Sequence, residues 1–234
     1  MLYEPRDDTQ GEEGGSHPPA GIGGRGPIQP ALSSDGAPRL FLVSDIHVDA
    51  AENWQWLEQL SGTSYQRDGL IVAGDVSEEI QRVEAALRLL TSKFARVFFC
   101  PGNHDLWVQA HEPHHDSMTK LRALLALCDR LGVITRPTRF GDAPPHHGVW
   151  VCPVLSFHHK SFDTEPDVAG WAIPSAEESM VDYRACVWPK PLSMLDDSVA
   201  SHVDGLNEAH WATAPEGDAT VALAQRPASE PLIT

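Results

Sequence analysis

The sequence predicts an α/β fold with a parallel sheet, on three observations. RLFLVS (39–44), LIVAG (70–74) and RVFFC (96–100) are short apolar runs that end in polar residues, the pattern of strands buried on both faces. Between the last two, EEIQRVEAALRLLTSKF sets Ile80, Val83, Ala86, Leu87 and Leu90 on one helical face, which makes a strand–helix–strand unit. A second apolar stripe follows through Met118, Leu121, Leu124, Leu125, Cys128 and Leu131, so a helix is expected near 116–131.

Further along, VWVCPV (149–154) reads as another strand, and 196–212 as a helix with Val199, Val203 and Leu206 on one side. The stretch 160–194, rich in proline and holding Trp171 and Trp188, gives no clear period. PLIT (231–234) reads as the start of a strand. Ahead of all this, residues 1–38 are dominated by Gly, Pro, Ser and acid. They hold too little apolar surface to offset the entropy of ordering, so a disordered tail is expected there and the domain at 39–234.

The formal net charge is −16. Such a surface repels long polyanions, whose affinity rests on cationic contacts to phosphate, and argues against DNA or RNA as substrate. No stretch has the roughly 18–20 consecutive apolar residues of a membrane span, and MLYEPRDDTQ is no secretory or transit leader. The expected compartment is the cytosol. The four cysteines, Cys100, Cys128, Cys152 and Cys186, form no CxxC pair and are expected as reduced thiols.

The chemistry lies where the three strands end. The first runs into Asp45-Ile46-His47, the second into Gly74-Asp75, the third into Gly102-Asn103-His104-Asp105. Parallel strands bring their C-terminal ends to one sheet edge, where open α/β proteins place ligands. Asp45 and His47, two apart on an extended segment, would share a side and bind one divalent cation. Asp75, after its glycine, is placed to reach between two metals. Asn103 offers a neutral carbonyl oxygen. His104 is left for proton transfer, with Asp105 expected to hold its imidazole in one tautomer. Each motif alone has an ordinary reading as a capped turn; what carries weight is all three after strands, in order, with room for a helical crossover between them.

D-x-H, GD and GNHD in this order resemble the calcineurin-like metallophosphoesterases, over about 39–234. The resemblance implies a sandwich of two mixed sheets flanked by helices, in four layers. It implies two divalent ions (Mn, Fe, Zn or Co): Asp45 and His47 on the first, Asp75 bridging, Asn103 on the second, and His104 as the acid for the leaving alkoxide. The reaction implied is hydrolysis of small phosphate mono- or diesters by metal-activated water. The phosphoprotein phosphatases of that superfamily carry GDxHG, GDxVDRG and GNHE, where this chain has SDIHVD, GDVSEE and GNHD. Purple acid phosphatases carry a tyrosine three residues after the GD aspartate, where Glu78 stands here.

The family pattern continues with a histidine at a later strand end and then GHxH, and neither follows here. The domain is therefore expected to be partial, with C-terminal strands missing. The first metal would keep Asp45, His47 and Asp75, the second Asp75 and Asn103, so weak metal binding and little turnover are expected. The competing reading is a non-catalytic scaffold of the same fold. Other histidines, among them the His146-His147 and His158-His159 pairs, His202 and His210, are not expected as ligands; His158 or His159 could still line the substrate cleft.

Overall fold

The structure, a computed structural model, describes residues 36–142, 147–162, 164, 166, 170, 174–212 and 232–233. The tail expected at 1–38 lies outside the described residues except for its last three.

Three strands, β1 (Leu40–Val43), β2 (Gly69–Ala73) and β3 (Arg96–Cys100), form a parallel sheet in the order β1-β2-β3. The crossovers are α1 (Ala51–Gln59) and α2 (Ile80–Lys93), and α3 (Ser117–Leu131) follows the third strand. The expected stripes are the buried ones: Val83, Ala86, Leu87 and Leu90 on α2, and Met118, Leu121, Leu124 and Cys128 on α3. Asp116 caps α3 by accepting from the Thr119 N–H at 2.7 Å, and Gly132 ends it in the left-handed region. The helix α1, AENWQWLEQ, buries only Leu57 and so carries no apolar stripe.

A second sheet holds β4 (Thr138–Phe140), β5 (Val149–Val151) and β6 (Leu232–Ile233), β5 pairing antiparallel with β4 and parallel with β6. The strand expected over 149–154 is shorter than its apolar run; Pro153 has no N–H to give a ladder. The strand start expected at 231–234 forms at 232–233. The fold is thus α/β, a parallel sheet flanked by helices with a second, mixed sheet. In the unread stretch lie two short helices, α4 (Ala176–Ser179) and α5 (Asp182–Ala185), ahead of α6 (Ser198–Ala212).

The helix-covered face of the first sheet is closed: Leu70 and Val72 are buried there. On the other face, Leu42 is 65 % exposed. That face borders a cavity of about 470 Å³ lined by Ile71, Phe98 and Val151, which reaches Gly102, Asn103 and Asp182 at the strand ends. His158 also lines it, while His159 pairs with Asp204 at 2.9 Å. All four cysteines are free thiols, three of them buried, and burial pushes the Cys100, Cys128 and Cys186 thiols up to about 12.

Two buried lysines brace this frame. Lys93 Nζ donates to the carbonyls of Leu57, Glu58 and Leu60, at 2.9, 2.7 and 2.6 Å, at the C-terminal end of α1, where a cation complements the helix dipole. Burial lowers its pKa. Lys93→Met should therefore lower the unfolding free energy from chemical denaturation by about 1.5–3 kcal/mol, the range for charged hydrogen bonds. Lys120 Nζ donates to the Glu78 and Trp107 carbonyls and pairs with Glu112, tying the loop after β2 to the loop after β3.

Candidate metal centre

The loop after β1 runs beside the loop after β2 as an irregular continuation of the sheet. Asp45 N–H donates to Gly74 O at 3.2 Å, His47 N–H to Asp75 O at 3.0 Å and Val48 N–H to Val76 O at 2.9 Å. Asp45, His47 and Asp75 all take positive φ, 54°, 42° and 54°. For non-glycine residues this is costly, and it clusters at functional sites.

Two glycines let the strand ends meet. A Cβ on Gly74, itself at φ 79°, would lie 2.7 Å from the Gly102 backbone, and a Cβ on Gly102 would lie 2.2 Å from Asp75 Oδ1. With no side chain there, the Asp75 carboxylate sits against the GNHD loop and accepts from the His104 N–H at 3.0 Å.

The result is a donor group. Ligand atoms of His47, Asp75 and His104 lie within 4.8 Å of one another. The His47 and His104 rings are edge to face, centroids 4.8 Å apart. The expected set is thereby altered in two ways. Asp45 stands outside the group: its segment is left-handed, not extended, so the rule that i and i+2 share a side does not apply to it. His104, read as a proton donor only, is inside. Asn103 lies next to the group in sequence, and its Nδ2 donates to Asp182 at 2.7 Å.

Asp105 has a different task from the one expected. It is fully buried and accepts four backbone N–H groups, from Asp75 and Gly102 on Oδ2 (2.9 and 2.9 Å) and from Val76 and Ser77 on Oδ1 (2.9 and 3.1 Å). Both oxygens are thus engaged with the GD and GNHD loops, and the residue staples them together instead of orienting the imidazole. Burial pushes its carboxyl up to about 6 against those hydrogen bonds. The His104 ring is set by other groups. It stacks on Trp107, centroids 3.8 Å apart at 27°, and its Nδ1 faces Glu78 Oε1 at 3.9 Å. Glu78 in turn accepts from Gln109 at 2.8 Å.

The donor set fits a divalent transition metal: two imidazoles and a carboxylate suit Mn, Fe, Zn or Co. The His104 Nδ1 is buried with no hydrogen-bond partner, which is unusual for a buried polar atom and consistent with a ring held for a ligand.

A parallel sheet flanked by helices, with this donor group at its strand ends and a second mixed sheet beside it, has the arrangement of a metallophosphoesterase fold. The model of the calcineurin-like phosphoesterase family matches residues 38–175, and the chain belongs to that family. Among curated proteins it is similar to [acyl-carrier-protein] phosphodiesterase PptH of Mycobacterium tuberculosis, 37 % identical over 99 residues, which are 42 % of this chain and 30 % of that protein. The chain thus matches under a third of that relative's length. The crystal structure of phosphopantetheinyl hydrolase PptH from the same organism has the same fold, with a TM-score of 0.61 and 24 % identity, over 84 % of this chain and 66 % of that one.

Proposed function

We propose that this chain hydrolyses small phosphate esters with water at a divalent-metal centre held by His47, Asp75 and His104, with the amide oxygen of Asn103 as a further donor. The observation that carries the reading is the convergence of donors from all three parallel strand ends in a member of this family. Ions held there would supply a water of lowered pKa and polarise phosphoryl oxygens. The protein's own part is to place them. Asp75 is held by its N–H on Asp105 and by the His104 N–H on its carboxylate. The Trp107 stack fixes the plane of the His104 ring as a ligand. Phosphodiesters are the first substrates to try, since the curated relative is named a phosphodiesterase. The net charge of −16 argues against long nucleic acid as a substrate. Among the described residues, no helix is long and apolar enough to cross a membrane.

Among the described residues the metal-binding group has three members, a thin set for two ions, so the rate should be low. With Mn²⁺, bis(4-nitrophenyl) phosphate should be turned over slowly, and EDTA or Asp75→Asn should abolish release of nitrophenol. Turnover that survives both would contradict the metal reading. A protein that binds Mn²⁺ but turns over neither this diester nor 4-nitrophenyl phosphate would favour the scaffold reading.

A further inference from the structure

Asp182 lies 79 residues after Asn103 in the chain, yet its carboxylate takes the Asn103 Nδ2 at 2.7 Å and the Trp107 Nε1 at 2.7 Å, both on Oδ1. It is buried, at 6 % exposure. It opens α5, and the segment that follows is pinned to the GNHD side: Val108 N–H donates to Ala185 O at 2.9 Å, Ser117 N–H to Val187 O at 2.7 Å, and Val187 N–H to Ser117 Oγ at 3.0 Å.

An ionised carboxylate only accepts, and an indole N–H only donates. Asn103 must therefore present its nitrogen to Asp182, which leaves its Oδ1 as the atom free for a cation. With the amide reversed, two oxygens would face each other. The same Oδ1 of Asp182 fixes the indole on which His104 stacks.

We propose that Asp182 is a positioning residue of the metal centre: it sets the amide of Asn103 with its oxygen toward the cation and, through Trp107, holds the plane of His104. This rests on the metal reading above. It adds a second-layer residue of the kind that orients metal ligands, whose loss typically weakens metal affinity about 10–100-fold.

The test uses the whole chain and three variants. Asp182→Ala removes the acceptor. Asp182→Asn keeps one oxygen able to accept both donors. Lys93→Met is a remote destabilising control. By calorimetry, Asp182→Ala should weaken Mn²⁺ binding about 10–100-fold, Asp182→Asn should restore most of it, and Lys93→Met should leave it unchanged while lowering the melting temperature. In the metal-free protein, the NMR signals of the Trp107 indole N–H and the Asn103 side-chain amide should both move in Asp182→Ala. If Asp182→Ala binds Mn²⁺ like wild type, or if those two signals stay in place, the inference is overturned. Absence of Mn²⁺ binding in wild type would instead sink the metal reading, with the NMR signals still deciding whether Asp182 clamps Asn103 and Trp107.

Discussion

Gly102→Ala should cost this protein its metal site. The added Cβ would lie 2.2 Å from Asp75 Oδ1 and 2.7 Å from the Asp75 nitrogen, inside any van der Waals contact. The φ of Gly102 is not in the left-handed region, so alanine meets no backbone penalty and the whole effect is collision. The obstacle is also not the far end of a flexible chain. The Asp75 nitrogen is held by Asp105, and the Asp75 carboxylate accepts the His104 N–H. Either the carboxylate swings out or the two loops separate. Overpacking of this kind costs about 1–3 kcal/mol. Displacing a ligand should reduce Mn²⁺ affinity by about 100-fold or more, beyond what loss of an outer-layer contact does. Calorimetry and a denaturation curve on the same sample measure both.

Asp105→Asn is expected to be among the most destabilising single changes. Two effects oppose each other. Burying a carboxylate is unfavourable and pushes Asp105 up to about 6 against its hydrogen bonds; a neutral amide escapes this cost. But an amide has one acceptor oxygen for four N–H groups, and its NH₂ would face two of them. Each buried donor left without a partner costs about 1–3 kcal/mol. Two such donors and two new amide hydrogens outweigh the relief, giving a net loss of about 3–5 kcal/mol in urea unfolding. The same change loosens the register of the GD and GNHD loops, so metal affinity should fall even where the protein remains folded. Full stability in Asp105→Asn would mean that the staple is unimportant.

Much of the fold was legible in the sequence. RVFFC became β3 residue for residue, and the stripes on α2 and α3 face the core, with Ile80, Leu125 and Leu131 only partly buried, because a strand inside a parallel sheet and an amphipathic helix each leave a local signature. The short pieces were not: β4 is three residues long, and α1 has a single buried side chain. At the site, the three motifs lie at the strand ends, and ligand atoms of His47, Asp75 and His104 come within 4.8 Å of one another. What failed was reasoning about direction. Asp45 was paired with His47 by a rule for extended chain, whereas both residues are left-handed. The task of Asp105 was assigned from adjacency to His104, but its partners are backbone N–H groups on two other loops, which leave no mark in a side-chain pattern. Glu78 and Asp182 were not picked out because their roles come from contacts 26 to 79 residues away in the chain.

The account stands on His47, Asp75 and His104 binding a cation together. Its most direct test is titration of Mn²⁺ into the whole chain and into His47→Ala, Asp75→Asn and Asp142→Asn, the last an exposed carboxylate engaged with Arg139 just after β4. The account predicts saturable binding by the wild type and by Asp142→Asn, with a loss of about 100-fold or more in the two site variants. Equal affinity in all four proteins would contradict it.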